Sequence, residues 1–565
     1  MRGLKKVTGC SGGGKGRWTV LAMAALLALG GCAPSGFLPS LSLHKPADDA
    51  LARTAGAGAD GAWPAPDWVK QLKDPQLDEL VADASRNNPD LQVAQARLRI
   101  AQAQLQQFDS LTGLTGTAGA TVSRARMPKP GDNVADVSVG GYRVPVEIFG
   151  DPVVSPSSVF VGLNYQLDLW GKNQAATKSL MSLRDAARIE AEQVRLTLTV
   201  AIVTVYCQLD EAYAVRELLQ QKLAISQRVT AVLRERTARG LDNAYDASDA
   251  TIKRTRLLAQ IALNDEQIKL AQLQLGVLSG PERGLALQRP RVGPFGQSGQ
   301  FGKSGDAALP ARLPADLLGR RPDIVAARLR VEAAFANADA TRAQFYPDVN
   351  LVALGGVFAL TPASLFSRDA LAGSVGPAIS LPVFDRGRLK AKLGADVAQA
   401  DVAIGLYNKT VDDALGQVAQ LVTSLQTAQT LVAQQQDAVA AAQKIVQIAT
   451  DRHRRGVLMQ KDVDVADLTL VDERSQLIGL LGRQRTLRVG LIGALGGGFD
   501  AGPAAALAPS TRAARGGHAK RGATATAASP AGARPTSASP AGARLSTAPA
   551  IPTFQHDRLI VTQSD

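Results

Sequence analysis

Side chains that could do catalytic or metal chemistry are sparse in this sequence. It has four histidines, and three of them fall in the terminal segments, which leaves His453 alone beside a basic run. Asp462 and Asp464 do not form a calcium loop, because the glycine and the terminal glutamate that such a loop requires are missing. The sequence also carries no metal-ligand cluster, nucleophile motif or phosphate-binding loop. We therefore expect neither an enzyme nor a bound cofactor or metal.

A few acids stand out because they follow glycines that end long helical runs. These are Asp246 and Asp249 after Gly240, and Asp462 and Asp464 after Gly456. An arginine precedes each glycine, and Asp246 and Asp462 each come six residues after their glycine. Acids early in a helix and cations late in one complement the helix dipole, so a purely structural role stays open for these side chains.

The other chemically informative residue is Cys32. Five basic and no acidic side chains precede or flank an apolar run over residues 18–29, which is too short to cross a bilayer. Leu29-Gly30-Gly31-Cys32 then matches a bacterial lipoprotein box, in which the cysteine becomes an acylated N-terminus. Cys10 would leave with the signal, so Cys207 remains unpaired and is expected in a core. Ala33 after the cysteine favours delivery to the outer membrane.

Charge and composition narrow the possible partners. The formal charge of +13 falls to about +4 once the five cations of residues 1–31 and the net four of residues 499–565 are removed. Nucleic acid is therefore not an expected partner. Aromatic residues are 4% of the chain while alanine, leucine, glutamine and valine abound, which suits long helices packed through small side chains.

These residues must be positioned by elements that recur twice in the same order. Asn88-Pro89-Asp90 and Arg321-Pro322-Asp323 each open a helical run, and Leu169–Lys172 is echoed by residues 384–387 before a second long helix. A unit of roughly 200 residues is thus duplicated, which is too long for a short solenoid repeat. We expect a signal peptide over residues 1–31, a tether over 32–66, a first repeat over 67–280, a linker over 281–313, a second repeat over 314–498 and a disordered tail over 499–565.

Each repeat is expected to hold two amphipathic strands and long helices. In the first repeat, alternation predicts strands over residues 115–126 and 157–169, joined by a long hairpin loop. Residues 172–239 contain neither proline nor glycine and predict a helix of roughly 100 Å, followed by a second helix over 242–275 that ends at Gly276.

In the second repeat we expect a helix over 321–344, strands up to residue 360 and over 374–384, and helices over 389–455 and on to residue 493. Gly394, Gly405 and Gly416 are expected to allow close helix contacts.

Several segments together carry a resemblance to outer membrane efflux proteins. They are residues 88–90, 167–171, 319–324, 345–347, 376–385 and 493–497. The chain most resembles the TolC/OprM-like, NodT-type lipoproteins that serve resistance-nodulation-division pumps, over roughly residues 65–498. The resemblance implies an α+β membrane protein that forms a homotrimer. Four strands per protomer would give a twelve-stranded outer-membrane β-barrel that continues into a periplasmic α-helical barrel.

The resemblance also implies partners and a site. A periplasmic adaptor and an inner-membrane RND-type transporter would dock at the helical turns, where Gly240 and Gly456 mark the tips. In this family acids near the tips narrow the pore, and Asp462 holds a matching position. The position nine residues after the glycine is Asp249 in the first repeat but Val465 in the second, so which acids face the lumen stays open. A threefold ring of acids would favour cations over anions.

Alternatives to drug efflux remain at this point. Protein secretion and metal-cation efflux use the same scaffold, although five methionines and four histidines give no sign of a metal relay. A periplasmic coiled-coil adaptor lipoprotein is the non-channel alternative. It would have no use for a lipid-facing alternating sheet, so the predicted strands disfavour it.

Overall fold

The structure, a computed structural model, describes residues 38–44, 63–126, 135–139, 142–146, 153–280, 287–290, 318–382 and 384–501. These residues lie in one compact unit, residues 1–507, and the second unit, residues 508–565, falls outside them. The predicted signal peptide, Cys32, most of the predicted linker and almost all of the predicted tail also lie outside the described residues.

The described elements follow the predicted order. The helices are α1 (Pro75–Asn87), α2 (Pro89–Thr112), α3 (Lys172–Ala238), α4 (Ala244–Ser279), α5 (Pro322–Ala343), α6 (Arg386–Arg454) and α7 (Gln460–Ala494). The strands are β1 (Thr115–Val122), β2 (Ala125–Arg126), β3 (Ala135–Val139), β4 (Tyr142–Val146), β5 (Val153–Val154), β6 (Ser157–Leu167), β7 (Asp348–Ala359) and β8 (Leu371–Ser380). A helix, two sheet strands and two further helices therefore occur once in each half.

The break between α1 and α2 has a local cause. Pro89 occupies the first position of α2, where its missing N–H costs no hydrogen bond. The side chain of Asn88 accepts hydrogen bonds from the amides of Asp90 and Leu91, at 2.9 and 3.4 Å, and so caps the helix. The sequence predicted this break at the same residues.

The main sheet is antiparallel, with the strand order β1-β6-β7-β8. Residues that lie opposite each other in such a sheet share a face, and the register of Val161 with Ala118 and Gly355 defines an apolar one. Its members are Gly116, Ala118, Ala120, Val122, Val159, Val161, Leu163, Tyr165, Leu167, Val349, Leu351, Ala353, Gly355, Val357, Leu371, Gly373, Val375, Pro377 and Ile379. Most of its large side chains are exposed, as Val375 at 77% shows. An apolar face open across four strands is typical of a sheet that faces lipid.

The hairpin that connects β1 to β6 differs from the prediction. The sequence predicted a strand up to residue 126 and then a loop. The structure instead ends β1 at Val122 and adds two short ladders, β2 with β5 and β3 with β4. Val137 pairs with Val144, and valine is a residue type that favours strands. The hairpin therefore continues beyond the four-stranded sheet.

The long helices form the other part of the molecule. At 67 and 69 residues, α3 and α6 are each roughly 100 Å long. α3 contains the one described segment that is apolar and long enough to cross a membrane, with a mean hydropathy of 1.2. Its Ile202 and Tyr206 are nevertheless fully buried among α1, α4 and α7. The apolar run of α3 therefore belongs to the helical core.

Two expectations about glycines were wrong in detail. Gly276 does not end α4, because it is buried within the helix, and the chain leaves the helix at Gly280, whose φ is 125°. Along α6, a Cβ atom added at Gly416 would meet nothing within 4 Å. At Gly405 the nearest atom would be Leu41 Cδ1 at 3.9 Å, which belongs to the N-terminal segment rather than to a helix.

Candidate functional site at the helical turns

The turn after α3 is closed by backbone geometry that requires a glycine. Gly240 has a φ of 71°, in the left-handed region that other residues avoid. Its amide donates to the carbonyl of Thr237 at 3.0 Å, and the amide of Leu241 donates to the carbonyl of Arg236 at 2.9 Å. These bonds satisfy the last carbonyls of α3 and reverse the chain toward α4.

Side chains then hold this first turn. The Arg236 guanidinium donates to both carboxylate oxygens of Asp242, at 2.7 and 3.1 Å. This hydrogen bond is the main reason that the pKa of Asp242 is lowered. The side chain of Asn243 caps α4 by accepting from the amides of Tyr245 and Asp246.

The turn after α6 has the same backbone. Gly456 has a φ of 75°, its amide donates to His453 at 2.8 Å, and the amide of Val457 donates to Arg452 at 2.9 Å. The ring of His453 also contacts the carbonyl of Leu458, with 2.8 Å between Nδ1 and the oxygen. The isolated histidine of the sequence therefore holds a turn.

The candidate acids Asp246 and Asp462 occupy the same helical position. Asp246 is the third residue of α4 and Asp462 is the third residue of α7. Asp462 accepts a hydrogen bond from the amide of Met459 at 3.0 Å, so its carboxylate closes the start of α7. Asp246 is exposed. Both acids complement the helix dipole.

Asp249 and Asp464 have unlike environments. Asp249 is part-exposed and lies 2.8 Å from Lys253, one turn further along α4. Asp464 is 1% exposed and accepts from Arg228 of α3 at 2.9 Å and from Gln460 at 3.4 Å. Asp464 is thus packed between α3 and α7, whereas the other three candidate acids keep some contact with solvent.

A cleft of about 340 Å³ separates the two turns. It is lined by Val232, Glu235, Arg236, Arg239 and Leu241 from the first turn and by Met459, Gln460 and Lys461 from the second. Cations outnumber acids in this lining, although the candidate acids follow immediately in α4 and α7. The end of the helical body is therefore mixed in charge.

Sequence reasoning missed the ion pairs that join the two repeats. α3 and α7 are linked by Arg228 with Asp464 and, further along, by Arg485 with Asp210 at 2.6 Å. Nothing in the local sequence pairs these residues, which are more than 230 positions apart.

The other residues singled out in the sequence are the cysteines and the side chains that could bind a metal. Cys207 is buried, and burial raises the pKa of its thiol to about 12, so it is a core residue as expected. Cys32 lies outside the described residues. Within the described part of the chain, no three side chains of the metal-ligating types group into a site.

Comparison with known proteins identifies the class of this molecule. The sequence profile of outer membrane efflux proteins matches residues 80–281 and 313–497, so the chain belongs to that family, as its motifs indicated. Members of this family are channels rather than enzymes.

Individual relatives agree. The fusaric acid resistance protein FusA of Burkholderia cepacia is 34% identical over 387 residues, which are 67% of this chain and 69% of FusA. The putative multidrug resistance outer membrane protein MdtQ of Escherichia coli K12 is 28% identical over 484 residues, or 84% of this chain and 96% of MdtQ.

Solved structures show the same fold. The outer membrane protein VceC from Vibrio cholerae superposes with a TM-score of 0.67 at 31% identity, covering 78% of this chain and 100% of VceC. The Campylobacter jejuni CmeC outer membrane channel gives a TM-score of 0.68 at 19% identity over 83% of this chain and 96% of CmeC, which bears on the fold alone. The chain therefore has the fold of an outer-membrane efflux channel, in which a β-barrel continues into a helical barrel.

Proposed function

We propose that this protein is the trimeric outer-membrane channel of a tripartite efflux pump and conducts small molecules passively. The observation that carries the proposal is the apolar face that runs across β1, β6, β7 and β8 at one end of helices roughly 100 Å long. Such a face suits lipid, and helices of that length suit a conduit through the periplasm.

The open edges of the four-stranded sheet and the exposed apolar flanks of the helices support a homotrimer. β1 and β8 are the outer strands of the sheet, and a sheet edge exposed to lipid is prohibitively costly. Below the sheet, α4 and α6 carry exposed apolar side chains such as Leu263, Leu270, Val402 and Leu406. A head-to-tail ring would place β8 and α6 of one copy against β1 and α4 of the next. Three copies would then close a twelve-stranded barrel.

The proposed partners are a periplasmic adaptor and an inner-membrane RND-type transporter, which would dock at the helical turns. The names of FusA and MdtQ refer to resistance to fusaric acid and to multiple drugs. We therefore favour drugs and other small molecules as cargo over proteins or metal cations. Cys32 is the proposed lipid anchor in the outer membrane, and palmitate labelling that persists in a Cys32→Ala variant would contradict that assignment.

Purification from outer membranes tests the channel directly. We expect a trimer in detergent that dissociates on heating and gives single-channel conductance in planar bilayers. A soluble, non-conducting protein would overturn the channel and favour the periplasmic adaptor alternative.

We further propose that Asp462, with Asp246 and Asp249, narrows the pore at its periplasmic end. Asp464 contributes through its ion pair with Arg228, because its carboxylate is buried. We expect Asp462→Ala to raise conductance and lower the preference for cations, because a threefold ring of charge is removed. Asp437→Ala, which changes an acid of α6 away from the turns, is the control. Unchanged conductance and selectivity in the Asp462 variant would contradict the assignment.

A further inference from the structure

A short N-terminal segment, the strap (residues 38–44), lies against α6. The carboxylate of Asp401 accepts hydrogen bonds from the amide of Ser40 at 2.8 Å, from the amide of Leu41 at 2.9 Å and from the hydroxyl of Ser40 at 2.9 Å. One side chain thus binds two consecutive amides of an extended peptide. These bonds are the cause of the lowered pKa of Asp401, with the Leu41 amide contributing most.

A second side chain binds the strap in both directions. The amide group of Asn408 donates to the carbonyl of Ser42 at 3.0 Å and accepts from the backbone amide of His44 at 2.7 Å. The His44 ring lies 3.4 Å from Asp412. Asn408 therefore gives the strap the donor and acceptor that a neighbouring β-strand would give.

Apolar contacts fix the register. Leu43 packs against an apolar cluster of α5 and α6 residues that includes Ile404 and Val411. Leu41 lies over Gly405, where a side chain on the helix would meet it. The glycine and the two leucines make the position of the strap specific, because a shift by one residue would turn both leucines away from these contacts.

The spacing of the contacts along the extended strap matches their spacing along α6. Asp401, Gly405, Asn408 and Asp412 of α6 all lie against the strap, recur every three or four positions and share one face. Four steps of extended chain span about 13 Å, and the seven to eleven helical steps opposite span about 10 to 16 Å. The contacting residues of α6 therefore extend over about the same distance as the strap.

We propose that this face of α6 is a specific binding site for an extended peptide, filled by the strap of the same chain. Docking there, and not the lipid anchor alone, holds the N-terminal end against the membrane side of the helical body. The second statement rests on the proposed function, because it takes Cys32 as the anchor.

The direction of the strap and the length of chain before it support a position of the N-terminal end at the membrane side. The strap runs parallel to α6, from Asp401 toward Asp412, so its N-terminal end points to the start of α6 beside β8. Asp401 lies fifteen helical steps from Arg386, or about 22 Å. Eight residues of chain from Cys32 to Ser40 can span at most about 26 to 29 Å. A docked strap therefore lets the anchor reach the sheet end of α6 with little slack.

Hydrogen exchange on the full-length trimer tests the site. We expect the strap amides to exchange about tenfold faster in Asp401→Ala than in the wild type, because hydrogen bonds to a carboxylate are lost. Asp413→Ala is the matched control, since Asp413 pairs with Lys409 on another face of the same helix. Equal exchange in the wild type and in Asp401→Ala would overturn the binding site.

A second arm separates docking from anchoring. Cys32→Ala, exported with an ordinary cleavable signal, should keep the slow exchange of the strap amides. Loss of protection in this variant would show that the lipid alone holds the segment and would overturn the proposal. Conductance is measured on the same samples. A wild-type protein that fails to conduct refutes the proposed function, whereas the strap amides report on the site independently.

Discussion

Arg236 and Asp242 form an ion pair across the turn after α3. The same two positions of the turn after α6 are Arg452 and Leu458, which cannot form such a pair. The backbones nevertheless agree, with glycine φ values of 71° and 75° and the same pair of reversing hydrogen bonds. The duplication has thus kept the chain reversal and replaced the side chains around it. Both turns require a residue in the left-handed conformation. The side chains that stabilise them differ, with Arg236 and Asp242 in the first turn and His453 in the second.

Burial differs between the two copies for a structural reason. α7 packs against both α3 and α6, while α4 packs against α3 and α1 and keeps an open flank. The position eight residues after the glycine is therefore buried Asp464 in the second copy and exposed Ser248 in the first. Asp464 needs Arg228, and the corresponding Lys444 is exposed on α6. The ion pair belongs to one copy only.

The largest effect is expected from removing the cation of this pair. Arg228→Ala leaves the Asp464 carboxylate buried, with the amide of Gln460 at 3.4 Å as its remaining hydrogen-bond donor among the described residues. We expect a loss of about 3 kcal/mol in the free energy of unfolding, at the lower end for a broken buried pair because Arg228 is itself 54% exposed. Urea unfolding in detergent measures the change. Lys444→Ala, the counterpart, should stay within about 0.5 kcal/mol, and equal losses would contradict the asymmetry.

Changes at the two glycines should be intermediate and equal. Gly240→Ala and Gly456→Ala force a side chain into the left-handed region, which costs about 1 kcal/mol each. A Cβ atom would meet nothing within 4 Å at either site, so sterics add nothing. The same unfolding measurement applies. A clear difference between the two variants would refute the shared backbone requirement.

The smallest effect is a pH dependence confined to the first turn. The pKa of Asp242 is lowered by the hydrogen bond from Arg236, so the folded pKa lies below the ordinary value of 3.8. The pair therefore stabilises the turn above that value, and its contribution is lost as the pH falls through the folded pKa. We expect Asp242→Asn to destabilise the protein at pH 5, and its difference from the wild type to shrink as the pH falls below 3.8. A difference that persists at low pH would contradict this account.

Much of the fold could be predicted from short-range patterns. The glycine- and proline-free run predicted α3 over residues 172–239, against the observed Lys172–Ala238. Alternation from Val159 to Leu167 predicted the face that the register extends across the whole sheet. The ladders of β3 with β4 were missed, because the Pro- and Gly-rich stretch around them was interpreted as a loop.

The site was less predictable. Their neighbouring positions in the sequence grouped Asp462 with Asp464, yet of these two only Asp464 is buried. It is buried because α3 packs against α7 there and contributes Arg228, which is 236 residues away in the sequence. The docking of Ser40 on Asp401 spans 361 residues and left no local signal. Both contacts depend on which helices pack together, and no window of neighbouring residues contains that information.

Local patterns along the chain were sufficient to predict the periods of the strands and helices, the residues where the chain reverses, and the family to which the chain belongs. These depend on interactions within a few residues and on motifs that are read along the chain. Tertiary packing, in contrast, buries Asp464, leaves one flank of α4 open and places the strap on α6. Burial and pairing are set by segments that are distant in sequence, so their physical cause exists only once the helices have packed.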